Sequence, residues 1–126
     1  VKDIMQPIEK VAVVTAETNL RNVVIKMTEN PQGAALVLDD ESLLLGIVTE
    51  GDLRRSLAGN IDIDNSEAEE VMSQKPITIK IDSLMSEVLS VMENRESQIS
   101  VLPVVNDDMK CVGLIRIHDI YQTQLL

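Results

Sequence analysis

Two stretches of the chain, VAVVT (11–15) and ITIKI (77–81), alternate or run apolar as short strands do. Each is followed by a helical pattern. Leu20, Val23, Val24 and Met27 fall at i, i+3, i+4 and i+7, and so do Met85, Val88, Leu89 and Met92. Thr18 and Asp82 are the expected N-caps. Arg21 and Met85 stand three residues on, so neither completes a capping box. Pro31 and Gly33 close the first helical region. AALVL (34–38) and SVLPVV (100–105) then read as strands, and Pro103 marks an edge strand or a bulge. The turns DDES (39–42) and NDDMK (106–110) lead into LLLGIVT (43–49) and CVGLIRI (111–117), the second strands of two hairpins. DLRRSLAG (52–59) is a helix stopped by Gly59, and DIYQTQLL (119–126) is its counterpart.

The parallel is an internal repeat. Ile4-Met5 matches Val71-Met72, Gly46 matches Gly113, and Asp52-Leu53 matches Asp119-Ile120, all at an offset of 67. Met27 matches Met92 at an offset of 65, so the first copy is longer around 29–33. Each copy has the order β-α-β-β-α. The expected fold is α+β: residues 1–60 form one unit, 61–70 a connection and 71–126 a second unit, packed as a pseudo-twofold pair. IDIDNSEAEE (61–70) is acidic and polar, a surface connection with room for a short helix over 66–72. Neither unit carries enough apolar surface to stand comfortably alone, so packing sheet on sheet supplies the core.

Composition narrows the function. The chain has 126 residues, is 44% apolar and contains no Phe, no Trp and a single Tyr. The core is therefore aliphatic and methionine-based, and base stacking on aromatic rings is nearly excluded. A net charge of −10 opposes binding to nucleic acid or to an anionic membrane surface. No apolar run approaches the roughly 20 residues that span a bilayer. No basic stretch followed by an apolar one opens the sequence, so the expected setting is cytoplasmic. Cys111 is alone, which rules out an internal disulfide, and its place in CVGLI predicts a buried, inert thiol. There is no nucleophile–base motif, no P-loop and no dinucleotide glycine fingerprint, so no residue is assigned a catalytic role. No EF-hand spacing and no second His supports a metal site.

The repeated endings GIVTEGDL (46–53) and GLIRIHDI (113–120) carry a resemblance. Two β-α-β-β-α units, each closing on glycine, two aliphatics and an aspartate six positions after the glycine, resemble a cystathionine-β-synthase (CBS) domain pair, or Bateman module. The likeness covers essentially the whole chain. More narrowly, GIVTEGDLRRSL is similar to the corresponding stretch in the C-terminal CBS pair of bacterial arabinose-5-phosphate isomerases, and VKDIM, AEEVMSQKPITI and GLIRIHDI fit that family's other segments. In that family an N-terminal sugar isomerase (SIS) domain interconverts aldose and ketose. The resemblance thus implies a regulatory module whose partner is a SIS domain outside these residues. Its implied ligand is an adenine nucleotide, AMP or ATP, or the nucleotide sugar CMP-Kdo. Association through the CBS helices into a homo-oligomer is also implied, and a purely architectural role is the alternative.

The resemblance assigns roles that compete with plainer ones. Asp52 and Asp119 are each a helix N-cap or a carboxylate accepting ribose hydroxyls. Thr49 is an ordinary β-branched strand end or a hydroxyl donor to the ligand. Arg116, in the place of Thr49, binds phosphate, fills the cleft or pairs with a carboxylate, so the two sites are not equivalent. Arg54 and Arg55 are solvated or contact phosphate or the isomerase domain, and His118 is a surface residue of a turn. The base pocket implied by the family falls on Val14, Thr15 and Ala35 in the first unit and Thr78, Ile79 and Leu102 in the second. The small pair Ala34-Ala35 favours the first-unit side as the more open.

Overall fold

The computed structural model describes residues 1–93 and 100–124. The last two positions assigned to the final helix, 125–126, lie outside the described residues. Strands are β1 (Gln6–Pro7), β2 (Ala12–Val14), β3 (Ala34–Leu38), β4 (Leu44–Thr49), β5 (Ser73–Gln74), β6 (Ile79–Lys80), β7 (Val101–Val105) and β8 (Cys111–Arg116). Helices are α1 (Leu20–Glu29), α2 (Glu50–Ala58), α3 (Ala68–Val71), α4 (Met85–Glu93) and α5 (Ile117–Gln124). The fold is α+β, as the repeat predicts, with two four-stranded sheets and five α-helices among the described residues.

The sheets have the orders β2-β3-β4-β5 and β1-β8-β7-β6. In each, a parallel pair (β2–β3, β6–β7) adjoins an antiparallel hairpin (β3–β4, β7–β8). The outer strand beside each hairpin is exchanged: β1, from the start of the chain, pairs with β8, and β5, which follows α3, pairs with β4. The internal repeat persists at the level of single pairs. Gly46 faces Gln74 and Gly113 faces Pro7, and Ala34 faces Thr49 as Val101 faces Arg116. Both hairpins shift register at the same place, Val37/Leu38 and Val104/Val105.

Three apolar clusters hold this arrangement. Leu20, Val23 and Met27 of α1 pack with Ala35, Val37 and Val48 on one sheet, while Val88 and Met92 of α4 pack with Leu102, Val104 and Ile115 on the other. Between the sheets lie Ala34, Leu36, Ile47, Cys111 and Leu114. Alternation along β3 divides its side chains between the helix-facing and inter-sheet cores. Burial pushes the Cys111 thiol up to about 11. Alkylation at pH 8 is therefore expected to leave Cys111 unmodified in the folded chain and to modify it fully in denaturant, as mass spectrometry would show.

Local details depart from the sequence pattern in three places. Asn19, not Thr18, caps α1, its side chain accepting from the Asn22 N–H at 3.0 Å. The Thr18 hydroxyl instead takes the Thr15 N–H at 3.0 Å, which closes the preceding turn. Helix α4 begins beyond Asp82, and the Glu87 carboxylate accepts the Leu84 N–H at its entry, at 3.3 Å. Pro103 lies on an interior strand, not an edge, and the register shift at Val104/Val105, one residue on, is the irregularity nearest to the expected bulge. The short β6 reaches only Val104 and Val105, so β7 has one neighbour at Pro103 and the missing N–H costs that side no ladder bond.

Candidate functional site

The first repeated ending forms a sharp strand-to-helix turn. Helix α2 starts at Glu50, two residues before the expected start, because Thr49 caps it. The Thr49 hydroxyl accepts the Asp52 N–H at 3.2 Å, and an Asp52 carboxylate oxygen accepts the Thr49 N–H at 2.9 Å. This reciprocal capping box places Asp52 at the third helical position rather than at the cap. The other Asp52 oxygen takes an Arg55 N–H at 2.8 Å.

The box does not exhaust either side chain. A hydroxyl has one donor and two acceptor sites, and the cap uses an acceptor, so the Thr49 O–H is left to donate. A carboxylate has about four lone-pair directions, and Asp52 receives two protein donors. One of these comes from Arg55, whose side chain is 74% exposed against 12% for Asp52, so this ion pair yields readily to a competing ligand.

Thr49 and Asp52 open onto a cleft of about 630 Å³ between the two units. Glu50, Arg54 and Arg55 stand on the same side. Ser73, paired with Ile47 in the same sheet, Pro76 and Ile77, and Ser100 with Val101–Pro103 of β7 in the other sheet complete the lining. The cleft thus pairs a hydroxyl and a carboxylate with two guanidinium groups and a largely aliphatic wall. That combination suits a ligand with an apolar face, vicinal hydroxyls and an anionic end.

The second ending is built differently on the same backbone. The Ile117 N–H bonds Ser100 O at 2.8 Å, as the Glu50 N–H bonds Gly33 O at 3.3 Å. Arg116 grips Asp119 with both arms of its fork, Nε at 2.9 Å and Nη2 at 2.6 Å. Gln6 Nε2 adds a bond to Asp119 at 3.3 Å and the Arg116 N–H another. Partial burial pushes the Asp119 carboxyl up, but the Arg116 bonds and charge, helped by Gln6, outweigh it and hold the group below the usual carboxylate range. Of the three roles open to Arg116, the structure shows the carboxylate pair.

The remaining residues implied by the family lie elsewhere. Val14 and Thr15 border a separate depression of about 440 Å³ with Asn22, Ile25 and Lys26. Ala35 is wholly buried beneath α1, and Ile79 is buried in the core of the second unit. Thr78 is half-buried and lines neither hollow. Leu102 does reach the cleft, with Val101 beside it, so the open side is walled by the larger pair and not by Ala34-Ala35. Sequence reasoning missed Ser73, Pro76 and Ile77, which come to the cleft through the strand exchange, and Gln6 on the second side. It also missed the capping box, although Thr49-x-x-Asp52 carries its spacing.

The geometry agrees with what the chain is similar to. The CBS domain family matches residues 1–59 and 68–125. An arabinose 5-phosphate isomerase, KdsD of Pseudomonas aeruginosa, is 33% identical over the full 126 residues, which span 38% of that protein. The chain thus covers little over a third of the curated relative. Among solved structures, the CBS domain pair of protein MJ0100 in complex with 5-methylthioadenosine and S-adenosyl-L-methionine superposes with a TM-score of 0.85, at 25% identity over 98% of both chains. CBSX2 of Arabidopsis thaliana, in complex with AMP, superposes with a TM-score of 0.81 at 20% identity, over 99% of this chain and 95% of that one. With both units matched and the exchanged sheets in place, the chain belongs to the CBS domain family, as a tandem pair.

Proposed function

We propose that this CBS pair senses a nucleotide or nucleotide sugar in the cleft between its units and thereby modulates an arabinose-5-phosphate isomerase (SIS) domain attached to it. The observation that carries this reading is the pairing of Thr49 and Asp52, with acceptor and donor capacity left over, across from the aliphatic wall of Val101–Pro103. The isomerase assignment draws on the relatives' names, and the ligand class on the neighbours solved with AMP and S-adenosyl-L-methionine. AMP, ATP and CMP-Kdo are the candidate ligands, the last as a chemically sensible end-product inhibitor. Their phosphates would meet Arg54 and Arg55, partly opposed by Glu50. Regulation requires that the ligand bind two states of the parent protein with different affinity.

Isothermal titration of the chain with AMP, ATP, CMP and CMP-Kdo tests the reading. Saturable heat from at least one is expected; no heat from any at millimolar concentration would sink it. The architectural alternative is favoured by Leu57 on α2 and Tyr121 on α5, 52% and 47% exposed. Helix-mediated association of copies would cover them and is compatible with sensing.

A further inference from the structure

We infer that the module carries one ligand site, not two, and that Arg116 is the residue that closes the second. This rests on the reading that the first cleft binds a nucleotide. The pseudo-twofold relation maps the first cleft's features onto a second location with little ambiguity. Thr49 and Asp52 correspond to Arg116 and Asp119, Ser73 corresponds to Gln6, and Ser100 corresponds to Gly33. The backbone pairs that frame the two places match one for one.

The side chains do not match. Asp52 receives two protein donors; Asp119 receives four, the Arg116 Nε–H, Nη2–H and backbone N–H and the Gln6 Nε2–H. Four donors fill the lone-pair directions of a carboxylate, so no direction is left for a ligand hydroxyl. The pair is also more enclosed: Arg116 is 25% exposed where Arg55 is 74%. Gln32 continues the plug, its Nε2 reaching Gln6 Oε1 at 3.5 Å and Lys10 O at 3.4 Å. A ligand entering there would have to break a bidentate, charge-assisted contact held by a largely enclosed arginine, whereas at Asp52 it displaces at most one exposed arginine.

Arg116→Thr with Gln6→Ser copies the first site's residues into the second. Wild type, Asp52→Asn, Arg116→Thr and the Arg116→Thr/Gln6→Ser pair are titrated calorimetrically with AMP, ATP, CMP and CMP-Kdo. A thermal melt establishes that each variant is folded, and Arg116→Gln replaces any that is not. The expected stoichiometry is one ligand per chain in wild type, weakened at least tenfold by Asp52→Asn, and two per chain once Arg116 is replaced. Two ligands per chain in wild type would overturn the inference, as would a single site unaffected by Asp52→Asn and lost with Arg116. Absence of binding in wild type defeats the sensing reading alone: binding confined to the Arg116 variants would still uphold the plug, and binding by none of them would overturn it.

Discussion

Gly113→Ala is expected to lower stability by about 1–3 kcal/mol, the range for forcing an extra carbon into a packed site. A Cβ at this position would lie 2.5 Å from Gln6 O and 2.9 Å from Met5 Sδ. The oxygen is backbone and cannot swing aside, so β1 must shift away from β8. The Gln6–Leu114 and Pro7–Gly113 pairs would loosen, and with them the tie between the start of the chain and the second sheet. Gly46→Ala is expected to behave alike, since its Cβ would lie 2.8 Å from Ser73 O and 2.5 Å from Met72 Sδ. The sulfur can yield and the carbonyl cannot. Gly59 is the control. Its φ is −85° and an added Cβ would meet backbone oxygens at 3.5 Å, so Gly59→Ala should stay within about 0.5 kcal/mol of wild type. Urea melts of the three variants measure the differences. A Gly113→Ala chain as stable as wild type would mean that the exchanged strand does not press on β8.

Asp52 should show two separable effects. Asp52→Ala removes one half of the capping box and is expected to cost roughly 0.5–2 kcal/mol of stability. Asp52→Asn keeps an oxygen to accept the Thr49 N–H and should cost less. Both variants lose the carboxylate that would accept ligand hydroxyls. Both should therefore weaken nucleotide binding by on the order of 1.5–3 kcal/mol, more than tenfold. Thermal melts and titrations of the same samples separate the effects. Lower stability with unchanged affinity in Asp52→Ala would leave Asp52 a cap alone, and a change in neither would remove it from both roles.

Much of this architecture was written in the hydrophobic pattern. The aliphatic run 34–38 is β3 residue for residue, and the 3.6-residue spacing from Leu20 and from Met85 locates α1 and α4. These signals are local, and burial of one face enforces them. The strand exchange was not legible, because Gln6-Pro7 and Ser73-Gln74 are two-residue strands without periodicity, set by which neighbour they meet. For the same reason Ser73 and Gln6 could not be placed at the two clefts. Helix starts slipped because several polar residues compete for each cap, and only the turn geometry decides between Thr18 and Asn19. At the repeated motif, the sequence posed capping and ligand binding as rivals. The structure makes them compatible in the first unit, where Thr49 and Asp52 cap each other and keep capacity in reserve.

Backbone amide resonances of the ¹⁵N-labelled chain, followed during titration with AMP, ATP, CMP or CMP-Kdo, locate the nucleotide site proposed to face Thr49 and Asp52. Shifts are expected to saturate together at 49–55, 73–77 and 100–102, while Gln6, Gln32 and Arg116–Asp119 stay in place. Shifts centred on Arg116 and Asp119, or equal shifts in both groups, would contradict that placement.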